Sequence, residues 1–151
     1  MNKGKFKVFL DASCWVAAAG SPTGGSALIL RLARAGFLRI MATKRVLKEA
    51  ERNIRGKMGE KVLLRYYQEI GATEIELVDP STVEEEAKWR DLVSEKDCHV
   101  LAGTYKAKAA VLVSLDKKHI LTARVKKDFP IPVKDTKNFL RNLTDTSRRG
   151  G

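Results

Sequence analysis

Short apolar runs alternate with stretches of helical spacing along most of the chain. Phe6-Lys-Val-Phe-Leu10, Phe37-Leu-Arg-Ile-Met-Ala42 and Ala110-Val-Leu-Val-Ser-Leu115 have the pattern of buried strands. Thr73-Glu-Ile-Glu-Leu-Val78 alternates instead, which places it nearer a sheet edge, and Ile131-Pro-Val133 predicts a short final strand. Gly20-Ser-Pro-Thr-Gly-Gly25 is dense in turn formers and predicts a loop. A helix is expected from about Ser26, with Leu28, Ile29, Leu32 and Ala35 on one face and Gly36 as its stop. Thr43 is placed to cap a helix through about Arg55, whose apolar face is Val46, Leu47, Ala50 and Ile54.

A further helix is expected from about Lys57 to Ile70, stopping at Gly71. Ser81 to Glu84 fits a capping box for the next, which carries Val83 and Ala87. Asp97 opens a helix with Val100, Leu101 and Tyr105 on its apolar side, and a turn at Lys106–Lys108 leads into the strand at 110–115. Lys117 to Leu121 allows one helical turn, and Asp135 caps a last helix carrying Phe139, Leu140 and Leu143. Strands alternating with helices predict a three-layer α/β/α sandwich around a mainly parallel central sheet.

Length and composition narrow this picture. The 151 residues suit one domain, expected over 1–143, with a flexible basic tail at 144–151. No apolar run approaches the roughly 20 residues of a membrane span. The first residues lack the long apolar stretch of a signal peptide, so a cytoplasmic protein without membrane partners is expected. Cys14 and Cys98 are far apart in sequence and fit free thiols. The net charge of +11 points toward a polyanion, nucleic acid first, without separating RNA from DNA.

The candidate chemistry lies where strands end. Asp11 follows the first strand, Asp116 the one at 110–115, and Asp97 heads the helix that feeds it. Glu49 lies one to two turns into the helix leaving the strand at 37–42. Each acid alone is explained as a cap or a solvated residue. Together they differ, because in a parallel sheet the carboxyl ends of the strands open onto one edge. Carboxylates meeting there repel unless a cation joins them, and hard divalent ions take oxygen ligands. Basic residues flank the set: Arg45, Lys48, Arg52 and Arg55 on the Glu49 helix, and Lys117, Lys118, Arg124, Lys126 and Lys127 after Asp116. Arg141, Arg148 and Arg149 extend the basic surface or belong to the tail. Acids for metal and bases for phosphate is the division of labour a nuclease needs.

Other signals are weaker. Gly20 to Ser26 approaches a P-loop, but Gly25 stands where its lysine is required. His99 and His119 lack partners at zinc-ligand spacing. Trp15 and Trp89 could stack on bases or pack in the core.

The segments VFLDAS, VLKEAERN and DCHVLAGTYKAKAAVLVSLD resemble the PIN-domain family of Mg²⁺- or Mn²⁺-dependent ribonucleases, over about residues 6 to 133. The last is the most specific, since family members pair an Asp-headed helix with a strand ending in Ser or Thr, one residue, then Asp. The resemblance implies a metal site of Asp11, Asp97 and Asp116 completed by Glu49, supported by the hydroxyls of Ser13 and Ser114. Substrate contacts are expected from Arg45, Lys48, Arg52, Lys117 and Lys118. It further implies metal-assisted attack of water on RNA and, for many small prokaryotic members of the VapC type, an antitoxin partner. A homodimer is a family expectation. One departure is Lys117-Lys118-His119, where some members carry a further acid. A non-catalytic RNA-binding module on the same fold is the rival reading, and a structure-specific DNA nuclease a third.

Overall fold

The computed structural model describes residues 6–150, with side chains through Thr144. Five parallel strands form its centre: β1 (Phe6–Leu10), β2 (Leu38–Ala42), β3 (Ile75–Leu77), β4 (Val111–Val113) and β5 (Val133–Lys134), in spatial order β3-β2-β1-β4-β5. β1 is central, and its Val8, Phe9 and Leu10 are almost wholly buried. Parallel pairing on both sides demands apolar side chains on both faces, which explains why β1, β2 and β4 read as mostly apolar runs, with Lys7 and Arg39 the only charges in them. β3 is an edge strand, and its Leu77 is half-exposed.

Among the described residues, eight α-helices cover the faces: α1 (Ala12–Gly20), α2 (Gly25–Arg34), α3 (Lys44–Lys57), α4 (Glu60–Ala72), α5 (Val83–Ala87), α6 (Cys98–Lys106), α7 (Ala123–Asp128) and α8 (Thr136–Gly150). The three-layer α/β/α sandwich expected from the pattern is the observed architecture. Thr43 caps α3 by accepting the Val46 N–H at 3.1 Å, and Gly36 ends α2 at φ 93°, a value glycine adopts without strain.

Several local expectations need correction. α1 begins directly after Asp11, so the chain is helical where no helix was foreseen, and the loop shrinks to 21–24. α1 packs against α2, α3 and α4, and apolar residues on nearly every side leave it without a periodic stripe. The buried residues of α2 are Ser26, Ala27, Ile29 and Leu30, because α1 as well as β2 lies against this helix, whereas Leu28 is exposed beside Leu140 and Leu143 of α8. α4 runs through Gly71, and the break before it comes at Gly59, with φ 85°. The capping box is one residue later than expected, with Thr82 and Glu85 exchanging hydrogen bonds, and Val83 points to solvent. Tyr105 is exposed and meets the edge of Trp89. α7, capped by Thr122, was unforeseen because only Val125 of it is buried. Trp15 is fully buried and Trp89 packs between Tyr105 and Phe129, so both tryptophans serve the core.

The packing of α6 positions the site. A Cβ at Gly103 would lie 3.1 Å from both the Phe9 ring and the Thr43 methyl, so glycine lets α6 settle onto the ends of β1 and β2. That brings His99, one turn earlier, toward α3.

Candidate active site at the carboxyl edge of the sheet

Asp11 is the most buried acid of the site, at 5% exposure, where β1 passes into α1. Its Oδ1 accepts the Ala12 N–H at 2.7 Å, and its Oδ2 accepts the hydroxyls of Ser114 at 2.7 Å and Ser13 at 3.3 Å. Burial pushes the Asp11 carboxyl above its ordinary range; the bonds from Ser114 and Ala12 pull it back, and the charges of Glu49 and Asp116 push it up again. Both of those charges therefore act on Asp11.

Ser114 and Ser13 tie the two strand exits together. Ser114 is fully buried, donates to Asp11 and accepts the Asp116 N–H at 3.0 Å. Ser13 accepts the Leu115 N–H at 3.0 Å and lies 3.5 Å from the Ser114 hydroxyl. Through these bonds the two hydroxyls hold the Asp11 carboxylate to the exit of β4. Asp116 shapes its own turn, with Oδ1 accepting the N–H groups of Lys118 and His119 at 3.1 and 3.0 Å. The His119 ring adds contacts at 3.1–3.2 Å.

Glu49 is paired with His99, Nε2 to Oε1 at 3.3 Å. The histidine is buried and the glutamate partly exposed. The His99 contact holds the Glu49 carboxyl below its ordinary range, with smaller help from Arg45 and Arg52. An Nε2–H donating to Glu49 leaves Nδ1 as an acceptor, and that buried atom has no partner among the described residues. Asp97 stands at the head of α6, yet its carboxylate makes no cap bond and takes the Ser94 hydroxyl at 2.9 Å. Capping thus accounts for the bonds of Asp116 and for part of those of Asp11, and fails for Asp97.

Two contacts escaped the sequence reading. The His99–Glu49 pair joins residues fifty positions apart, and no local pattern marks it. The Asp116–His119 spacing of three was visible, but nothing distinguished it from a surface histidine. Around the acids, Arg45, Lys48, Arg52, Lys117 and Lys118 are all exposed. Arg45 sits 3.6 Å from Glu86, and Arg55 is drawn away toward Tyr67 and Glu51. The side chains of Arg148 and Arg149 lie outside the described residues.

The donor set is all carboxylate and hydroxyl oxygen, the chemistry of a hard divalent cation, and it contains a buried carboxylate already repelled by two others. In kind it fits Mg²⁺ or Mn²⁺. Among the described residues, however, no group of three or more His, Cys, Asp or Glu is gathered closely enough to hold an ion. Glu49 and Asp116 are instead engaged by histidines.

Residues 7–118 match the model of the PIN domain. The chain belongs to the PIN-domain family. Among solved structures, this PIN domain is similar to VapBC2 from Rickettsia felis bound to a DNA fragment from its promoter, with TM-score 0.64 and 15% identity over 86% of this chain and 98% of that one. It is similar to PAE2754 from Pyrobaculum aerophilum, with TM-score 0.62 and 13% identity over 93% and 96%. A third is the Mycobacterium tuberculosis VapC20, a sarcin-ricin loop cleaving toxin, with TM-score 0.53 and 18% identity over 81% and 95%. At such identities the likeness is one of fold. Among curated proteins there is no match.

Proposed function

We propose that this PIN domain is a divalent-metal-dependent endoribonuclease. The observation that carries the reading is Asp11: a carboxylate buried at a strand exit, held by Ser114, and repelled by Glu49 and Asp116 on a chain of net charge +11. Asp11, Asp97 and Asp116 would hold Mg²⁺ or Mn²⁺, with Glu49 completing the set. When bound, the ion supplies a Lewis acid that polarises the phosphodiester and lowers the pKa of a water. Ser114 and Ser13 fix Asp11 so that one acid is oriented in advance. His99 holds Glu49 more loosely, through a single contact at 3.3 Å. Arg45, Lys48, Arg52, Lys117 and Lys118 would hold the RNA backbone, with affinity that falls as salt rises.

The fold neighbours that carry VapBC names support a further step, in which the chain is the toxin of a toxin–antitoxin pair and is restrained by a partner protein. No helix among the described residues is long and apolar enough to cross a membrane.

One observation favours a second reading. The acids are not gathered into a ligand cage, as a non-catalytic RNA-binding module would allow. Purified protein with Mn²⁺ and a mixed RNA pool decides between them. The nuclease reading expects cleavage that EDTA stops and that Asp97→Asn lowers at least about 100-fold. Cleavage that survives both changes sinks it. RNA binding without cleavage in the wild type, with Mn²⁺ present, supports the binding module.

A further inference from the structure

Both tryptophans are taken up by the core, so stacking on bases falls to other rings. Among the described residues the exposed aromatics are Phe6, Phe37, Tyr67 and Tyr105. Phe6 opens β1 and Phe37 precedes β2, so both lie at the amino edge of the sheet, away from the acids. Tyr105 lies in the last turn of α6, far from Asp97 at its head, and Lys88 Nζ stands over its ring at 4.6 Å. Tyr67 differs. It projects from α4 onto the part of α3 that carries Glu49, where its hydroxyl donates to Glu51 and accepts from Arg55 Nη2 at 2.9 Å.

Those two bonds fix the far end of the ring. The buried Tyr66 supports it from the protein side, with centroids 5.8 Å apart. Even so, 41% of Tyr67 stays exposed, and Leu64, 59% exposed and one turn earlier on the same face of α4, widens the apolar surface. A ring already held in one orientation loses little further freedom when a base covers it.

A cationic path joins this ring to the acids. The charges of Arg45 and Arg52 act on Glu49 at one end, and Arg55 reaches Tyr67 at the other. Lys48, Arg52 and Arg55 follow at spacings of four and three, which makes them neighbours on the outward face of α3, and all are exposed. At about 3.6 residues per turn, Glu49 and Glu51 fall about 160° apart, on opposite flanks of α3. Val46, Ala50 and Ile54 fill the buried side between those flanks, and the cations fill the solvent side. A strand crossing the cations therefore runs from Glu49 to Tyr67 over the width of one helix, about 10–12 Å. Glu51 accepts from Tyr67 and lies 3.9 Å from Arg55, so its charge is met within the cluster.

We propose that Tyr67 is the stacking platform for a base of single-stranded substrate RNA, a few nucleotides from the bond to be cut, with the intervening phosphates on Arg52, Lys48 and Arg55. Every base has a π-face, so the platform sets the path of the strand and not its sequence. A paired base offers no free face, which excludes duplex RNA at this position. The proposal rests on the nuclease reading and deepens it, giving the substrate a direction away from Glu49.

Binding is measured apart from cleavage, by fluorescence anisotropy of a short end-labelled single-stranded RNA in EDTA. Tyr67→Ala and Tyr67→Leu are expected to weaken binding about tenfold, and Tyr67→Phe less than about threefold. Stacking releases no counterions, so the slope of log Kd against log salt is unchanged in Tyr67→Ala, whereas Lys48→Ala lowers it by about 0.7. In a series of RNAs abasic at successive positions, one position is expected to cost the wild type about tenfold and Tyr67→Ala nothing further, a coupling that a merely structural tyrosine would not show. If Tyr67→Ala melts early, Tyr67→Leu keeps the apolar bulk and carries the same comparison. The proposal is overturned if the wild type binds no RNA, if Tyr67→Ala and Tyr67→Leu bind as the wild type does, if Tyr67→Phe loses as much as Tyr67→Ala, or if every abasic position affects wild type and variant alike. RNA stacked on Tyr67 but uncut in Mn²⁺ would sink the nuclease reading and leave the platform; cleavage with binding indifferent to Tyr67 would do the reverse.

Discussion

The candidate site has two halves, and they are built differently. The strand half comprises Asp11, Ser13, Ser114 and Asp116 at the exits of β1 and β4. It is knitted by bonds of 2.7–3.5 Å in which Ser114 serves both aspartates. The helix half comprises Glu49 on α3 with Asp97 and His99 on α6. There each acid has one side-chain partner, His99 for Glu49 at 3.3 Å and the exposed Ser94 for Asp97 at 2.9 Å. Moving Asp11 would break three bonds in a dry environment, whereas rotating Glu49 or Asp97 breaks one bond near water. The strand half is therefore set by folding, and the helix half is free to be drawn in by a ligand.

The sharpest way to break the comparison is to neutralise one acid from each half. Asp11→Asn removes the oriented carboxylate and is expected to lower RNA cleavage at least about 100-fold. Glu49→Gln keeps a hydrogen-bond acceptor for His99 and is expected to cost about tenfold. Turnover in Mn²⁺ measures both. Equal losses, or a larger loss for Glu49, would mean that Glu49 is held at least as firmly as Asp11.

Stability separates the halves next. Ser114→Ala removes the shorter of the two hydroxyl bonds to the buried Asp11 Oδ2, leaves the Asp116 N–H without its acceptor, and is expected to cost about 1–3 kcal/mol in urea unfolding. Ser13→Ala, at a partly buried position, is expected to cost under about 1 kcal/mol. If the two variants unfold together, the tie between β1 and β4 does not run through Ser114.

How much of this was legible follows from the same physics. β1, β2 and β4 were readable because a parallel sheet buries both faces and leaves mostly apolar runs, interrupted only by Lys7 and Arg39. α3 was readable because one face is buried and the other is charged. α1 was not, because Ala-Ser-Cys-Trp-Val-Ala-Ala-Ala packs on several sides and shows no period. Asp11 and Asp116 could be placed from strand ends alone, since parallel strands deliver their exits to one edge. The His99–Glu49 pair depends on how closely Gly103 lets α6 approach, a distance that no spacing in the chain encodes.

The smallest effect bears on how the strand half is held. Burial raises the Asp11 carboxyl above its ordinary value of 3.8, with Glu49 and Asp116 adding to the rise. The folded chain therefore binds this proton more readily than the unfolded chain does. The stability tied to it is complete below the unfolded value and is lost as pH rises through the folded one. Asn does not titrate. The stability of Asp11→Asn minus that of the wild type, measured in EDTA, is thus expected to grow as pH goes from about 4 to 7. A difference that shrinks over that range would mean that the donors Ser114 and Ala12 outweigh burial. Asp11 would then be a carboxylate stabilised by its hydrogen bonds, with no unmet charge to attract a cation.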